Sequence, residues 1–345
     1  MTPPVVHNAR RWLWPSAALL LAALVVANLM LGAVSVAPGD VFRILADHLG
    51  WGHADVPLRD DAVVWSIRLP RVVLGVTAGA ALGVAGTALQ GSLRNPLADP
   101  YLVGISAGSA VGAAVAVALG VAADSAVVGI VAAEFGFLAG WLAVSVSRFR
   151  GRSEIATVIL TGVAVSAAAA ALVGFVSIIA RDRGVPDPSF WLLGGLGRTT
   201  WDMVASSLPL FLIGAAAVVP LSRTLDVVLL GSDEAHHLGV DLRVTHRWVL
   251  VGASLIGGAA VASAGIVGFV GLAAPHAARS VLGPGHRRLF AAAAILGALF
   301  MSGADLLARV TAEPVEIPLG LVTALVGGPV FLWLLRRTRS TYGSW

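Results

Sequence analysis

Few residues in this chain could do chemistry, and their spacing limits what that chemistry could be. One carboxylate, Glu134, falls near the middle of an apolar run. An acid at that depth is costly and points by default to proton or ion movement. A coupled carrier usually needs a relay of partnered groups or broken helices at the midplane, and no second acid or base accompanies Glu134 in its run, so a protonated or locally hydrogen-bonded structural glutamate is the simpler reading. His236 and His237 are adjacent, so on a helix they point in different directions, and neither has a cysteine or carboxylate at ligand spacing. His276 shares this weakness, and no metal site is expected. The sequence has no cysteine, which excludes disulfides, thiolate zinc sites, iron–sulfur clusters and a thiol nucleophile. It also lacks a Ser-His-Asp arrangement, paired intramembrane carboxylates, a His-Glu-x-x-His motif and a phosphate-binding Gly-x-x-x-x-Gly-Lys loop. The chain is therefore not expected to be an enzyme or to bind a cofactor; if its work consumes ATP, another chain binds the nucleotide.

The elements that would position these residues are membrane spans. The chain is 57% hydrophobic and only 12% charged over 345 residues, outside the usual makeup of a soluble domain. A crossing helix needs about 20 apolar residues. Uncharged stretches of suitable length lie near 12–34, 72–93, 100–123, 125–147, 155–180, 203–222, 289–304 and 317–335. The stretch 248–279 is long for one crossing and short for two, and is interrupted by Gly265, Gly271 and Pro275. The first apolar run is too long for the core of a signal peptide and reads as an uncleaved span. All basic residues are arginine, and their distribution decides the count. With ten spans most arginines share the side of both termini, whereas nine spans put the majority on the opposite side. The expectation is an all-α polytopic protein with about ten transmembrane helices, a single domain over 1–345, and both termini cytoplasmic in the inner membrane. The net charge of +4 sets orientation in the lipid rather than implying a nucleic-acid partner.

Glycines recur at every fourth position at Gly75, Gly79 and Gly83 and again at Gly104, Gly108 and Gly112, which suits close helix packing. Between them, Asn95-Pro96-Leu97-Ala98-Asp99-Pro100 predicts a short reversal on the inner side. The outer segment 35–71 has room for a short interfacial helix. The fifth span begins Thr161-Gly162-Val163-Ala164-Val165-Ser166 and continues with five alanines, a wall of small side chains that suits either a wide solute path or tight packing. Arg68 and Arg71, in Arg68-Leu69-Pro70-Arg71, and Arg309 stand on the side that should be poor in arginine. They could pair with neighbours such as Asp305, or together receive acidic side chains of an external protein. On the inner side, the polar island 223–247 contains Glu234, Ala235 and Leu238 in a short amphipathic helix that Gly239 would end.

Taken in order, Arg68-Leu69-Pro70-Arg71, Gly86 to Gln90, Asn95 to Pro100, Gly104 to Gly108, Phe190 to Leu196, Glu234-Ala235-x-x-Leu238-Gly239, Gly268 to Leu272 with Pro275-His276-x-x-Arg279, Ile317 to Gly320 and Gly327 to Phe331 resemble the FecCD family. These are permeases of ATP-driven importers for iron-siderophore, haem and cobalamin. The resemblance implies a type II ABC importer permease with ten helices per subunit. It also implies a homodimer with the path at its interface, two cytoplasmic ATPase subunits carrying ATP and magnesium, and an external substrate-binding protein. By motif, Arg68, Arg71 and Arg309 would pair with acidic groups of that binding protein. Glu234, Ala235, Leu238 and Gly239 would form the element seated in the ATPase. The inner gate would lie at Glu154, Ile155, Ala156 and Thr157, which are more apolar than the small hydroxyl residues of some members, with Thr161 and Ser166 further along the path. Ferric siderophore is the expected cargo, with cobalamin or haem as alternatives. A secondary carrier, an exporter permease and a membrane enzyme are the remaining classes.

Overall fold

A computed structural model describes residues 5–52, 55–146, 148–149, 152–153, 155–182, 190–312 and 315–339. In lipid every backbone polar group must be satisfied within the protein, so long apolar runs become helices. The chain opens with α1 (Val5–Met30), α2 (Pro38–His48) and the single turn α3 (Leu58–Asp61), and a π-helical stretch, Ala62–Arg68, then leads without a break into α4 (Leu69–Ser92). α5 (Ile105–Ala118) and α6 (Ala126–Val146) follow, then a two-residue antiparallel pair, Arg148–Phe149 with Arg152–Ser153, and α7 (Ile155–Asp182). After α8 (Phe190–Leu193), α9 (Trp201–Val218) continues through a 3-10 turn into α10 (Ser222–Val228) and α11 (Ser232–His237). The chain is completed by α12 (Leu242–Ala264), α13 (Val270–Leu282), α14 (His286–Val310) and α15 (Leu319–Arg339).

Among the described residues, six helical stretches are long and apolar enough to cross a bilayer, namely Leu58–Ser92, Ala126–Val146, Leu160–Ala180, Trp201–Val228, Leu242–Ala264 and His286–Val310. The shorter apolar helices Trp14–Met30, Ile105–Ala118 and Leu319–Val330 join them. α13 resolves the ambiguous stretch 248–279 into two helices. The helix breaks over 265–269, where Gly265 and Phe269 both adopt positive φ (69° and 68°), a conformation rare for a residue with a side chain. With 13 residues, α13 is about 20 Å long, less than the hydrocarbon thickness, so it starts inside the bundle. The segment 93–104 does likewise. The expected reversal is present and dips into the bundle: Ala98, Asp99, Pro100, Val103 and Gly104 are buried while Arg94, Pro96 and Tyr101 stay exposed, and α5 begins only at Ile105. Asp99 and Asn95 make this possible by bonding the loop's own amides, Asp99 to Tyr101 N–H at 2.7 Å and Asn95 to Leu97 N–H at 2.9 Å.

At the centre, α4 and α14 run antiparallel with backbones in contact. A β-carbon on Gly79 would lie 2.4 Å from the Gly297 carbonyl oxygen, and one on Gly83 would lie 2.2 Å from that of Ala293. No side chain fits there, so the glycine face of α4 is a packing face. Gly108 and Gly112 play the same part between α5 and α6, against Phe135 and Val131. The main apolar core surrounds this pair, from Leu74 and Leu82 to Ile256, Phe290 and Met301. A second cluster joins Leu29, Val36, Val41, Ile44 and Val64, fixing α2 against α1 and the π-helical stretch while Phe42, Leu49 and Trp51 stay exposed. A short helix expected in 35–71 is present as α2. Replacing Gly83 by valine should destabilise the protein by about 1–3 kcal/mol through overpacking, lowering its thermal midpoint in detergent. Gly303→Ala, where an added β-carbon meets nothing within 4 Å, should leave the midpoint unchanged or raise it.

Candidate functional site

The three arginines singled out by the sequence come together at one end of the bundle, and all are buried, with 5%, 6% and 7% of Arg68, Arg71 and Arg309 exposed. Arg68 ends the π-helical stretch and donates to the carbonyls of Leu29, at 2.8 Å, and Val34. Arg309, in the last turn of α14, donates to Leu31 O at 3.2 Å, to Asn28 O at 3.0 Å and to the Asn28 side-chain oxygen. Carbonyls in the last turn of a helix have no intrahelical donor, and cations are favourable there. Arg68 and Arg309 therefore act as a two-sided cap on α1. Arg71 faces the other way. Its Nε lies 2.9 and 3.1 Å from the two oxygens of Asp305, its Nη2 is 2.9 Å from Asp305 Oδ1, and its Nη1 is 2.9 Å from both oxygens of Glu316. Arg309 Nε stands 3.5 Å from Asp305 Oδ2, an ion-pair distance beyond a hydrogen bond. One buried carboxylate thus serves two arginines on two helices.

At the opposite end, α11 carries the island motif. Ala235 is fully buried, Glu234 is exposed, and Leu238 is 63% exposed, an apolar side chain presented outward. Gly239 takes the left-handed conformation at φ 80° and ends the helix as the sequence suggests. His236 and His237 are exposed on the same turn, and no cluster of three or more His, Cys, Asp or Glu suited to a metal forms among the described residues.

The proposed path residues lie along α7. Glu154 falls outside the described residues, and Ile155 and Ala156 open the helix. Thr157 and Thr161 are half-buried, Thr161 donating to the Thr157 carbonyl at 2.7 Å, and Ser166 is half-buried. Beyond them α7 is the least buried of the six long spans. Its open face runs through Leu160, Val163, Ala164, Ala167, Ala168, Ala171 and Phe175, without charge. Tight packing accounts for one side only, where Gly162 lies against the Leu102 carbonyl. Glu134 projects outward from the middle of α6 on the stripe that also exposes Ile130, Leu138 and Trp141.

Some of the site was not foreseen from the sequence. Asn28 and Glu316 complete the arginine cluster, and Asp226, His286, His246 and Ser92 tie the island to the bundle. These pairings span 281, 245, 60 and 154 residues of chain, and only an isolated polar residue at the edge of an apolar run hinted at each.

Long apolar helices among the described residues define a multi-pass membrane protein. The chain belongs to the FecCD transport family, which matches residues 20–337. It is 42% identical to a cobalamin import system permease protein of Halobacterium salinarum over 81% of this chain and 75% of the relative. It is 39% identical to a hemin transport system permease protein of Yersinia pestis, covering 80% and 84%. A ferric dicitrate transport system permease protein of Escherichia coli is 35% identical, covering 80% and 86%. A solved structure described as an inward-facing conformation of a metal-chelate type ABC transporter superimposes with a TM-score of 0.74 at 29% identity, over 93% of this chain and 98% of that one. The protein is the permease subunit of an ABC importer of the metal-chelate type, and ATP is hydrolysed on a separate subunit.

Removing one partner of a buried ion pair costs about 3–5 kcal/mol, whereas a pair open to water is worth about 1 kcal/mol or less. Asp305 is 3% and Glu316 49% exposed at the side chain. Asp305→Ala should therefore unfold the detergent-solubilised protein at a much lower temperature, and Glu316→Ala should barely move it. Equal shifts would contradict this account of the cluster.

Proposed function

We propose that this permease imports a ferric siderophore across the cytoplasmic membrane, as a homodimer with both termini cytoplasmic. The observation that carries the reading is the open face of α7, which is long and uncharged and sets a run of alanines among Leu160, Leu172, Phe175 and Ile178. Such a wall lets a bulky chelate pass without holding it. Kinship with a ferric dicitrate permease supports iron as the metal. Cobalamin is a second reading, favoured by the 42% identity to a cobalamin permease.

In this reading ATP binding draws two ATPase subunits together. The segment 223–247, through Glu234, Ala235, Leu238 and Gly239, passes that movement to the bundle, and the path opens alternately outward and inward with its gate at residues 154–157. The nucleotide supplies the difference in free energy between the two states, and the permease supplies the two states. An external binding protein delivers the chelate at the arginine end, where Arg68, Arg71 and Arg309 hold its carboxylates. Because these guanidinium groups are bonded within the chain, docking requires exchange of internal for external partners. Reversing their charge would set carboxylates against the carbonyls of α1 and damage the fold, so a neutral change is the better probe. Arg309→Gln should reduce ATP hydrolysis stimulated by the binding protein about tenfold, the loss expected of a charged hydrogen bond. Full stimulation in a stably folded variant would remove Arg309 from the docking role.

Two uptake measurements test the cargo and the energy source. Cells lacking this chain should lose accumulation of radiolabelled ferric siderophore and keep that of labelled cobalamin; the reverse pattern would transfer the assignment to cobalamin. Glu134→Gln should leave uptake within about twofold of the native rate, since ATP rather than a proton drives the cycle. Loss of uptake in that variant together with collapse under an uncoupler would favour a secondary carrier.

A further inference from the structure

At the end of the bundle away from the arginines, the polar segment 223–247 is bonded on its leading flank to the start of α14, whose His286 packs against the last turn of α4, and on its trailing flank to that turn directly. On the leading flank, Asp226 of α10 uses one oxygen twice. Its Oδ1 accepts the backbone N–H of His286 at 2.8 Å and pairs with Nδ1 of the same ring at 2.7 Å. The carboxylate thereby caps the first turn of α14, where backbone donors lack intrahelical acceptors. The His286 ring is fully buried, and its far edge lies against the α4 backbone, so that a β-carbon on Gly91 would come within 2.2 Å of Nε2. On the trailing flank, Nδ1 of His246, in α12, is 2.7 Å from the hydroxyl of Ser92. Gly91 and Ser92 are neighbours at the end of α4.

Between these ties sits α11, six residues long with a single buried side chain, the methyl group of Ala235. So little apolar contact cannot hold a helix that is pushed from outside, since a buried methyl is worth under about 1 kcal/mol. The polar ties can, because they are directional. A shift of α10 by one residue breaks both bonds of Asp226 at once.

We infer that Asp226, His286, His246 and Ser92 are positioning residues that join α11 to α4, so that displacement of α11 by the ATPase is delivered to α4 rather than absorbed in the loops. The inference rests on the reading of 223–247 as the segment that meets the ATPase. α4 continues from this joint to the arginine cluster, with Arg71 in its first turn, so one helix connects the two ends.

Hydrogen exchange on the full complex, purified through a tag on this chain with its ATPase subunits and measured with and without ATP and vanadate, tests the joint. In the native chain, nucleotide should alter exchange in both 223–247 and 84–92. In Asp226→Ala combined with Ser92→Ala, exchange in 223–247 should rise about tenfold, as expected when one or two hydrogen bonds are lost. Nucleotide should still alter 223–247 there but no longer 84–92. Asp226→Asn, which keeps an acceptor oxygen for the amide and the ring, should restore the response; a merely destabilised protein would show faster exchange everywhere and no such rescue. The single variant Ser92→Ala, with His246 losing one bond, should weaken the response at 84–92 without loss of fold. A full response of 84–92 in the double variant, or failure of the Asn variant to restore it, would overturn the joint while leaving the coupling segment in place. A native segment 223–247 that is indifferent to nucleotide would remove the reading of that segment and the joint with it.

Discussion

Where α4 passes α14, glycine brings backbone against backbone, and the rest of the structure is arranged around that contact. A pair of helices this close has little freedom to slide, because an offset would bring flanking side chains onto the carbonyls of Gly297 and Ala293, where a β-carbon has no room. Apolar packing alone gives poor register in a membrane, since lipid tails are as apolar as the side chains they replace. Arg71 adds a directional tie to Asp305 at one end, and the His286 ring packs against Gly91 at the other. The arginine cluster extends this fixed pair to α1, whose last carbonyls it satisfies, and through Glu316 to the segment leading into α15.

This division of labour explains why α7 can differ from its neighbours. With α4, α14 and α12 locked in the interior, α7 packs through one narrow side and leaves a broad uncharged face open. In the proposed importer that face would line the path of the solute. The broken elements also shape the interior. The buried turn 93–104 and the interruption at 265–269 place the starts of α5 and α13 inside the bundle, with Asp99 bonding the loop's own amides where no water is at hand.

Much of the fold was legible in the sequence because its signals are local. The length of each apolar run gave the spans, the arginine asymmetry separated ten from nine, and the spacing of Gly75, Gly79 and Gly83 marked a packing face. The end of α11 at Gly239 was also readable, since only a left-handed residue can close a helix that way. The depth of Asn95–Pro100 was not, because a Pro-rich reversal reads alike whether it lies on the surface or returns into the bundle. The arginines show the limit most clearly. Arginine on the poor side of a membrane protein could signal either an external partner or an internal one. The internal partners, Asn28, Asp305 and Glu316, are brought in by α1, α14 and the start of α15. Their selection depends on helix packing that no local pattern records.

From the close packing of α4 on α14 and the one-sided packing of α7, we propose that α4 and α14 move as one body while α7 moves against them. The chain has no cysteine, so pairs of nitroxides can be introduced cleanly at Thr77 with Ile295 and at Thr77 with Val163. Distances should be measured by pulsed electron paramagnetic resonance in the complex with its ATPase subunits, without nucleotide and with ATP trapped by vanadate. The account predicts that the Thr77–Ile295 distance stays constant to within about 2 Å, the scale of small helix shifts, while Thr77–Val163 changes by more. A Thr77–Ile295 distance that changes with nucleotide as much as Thr77–Val163 would contradict it.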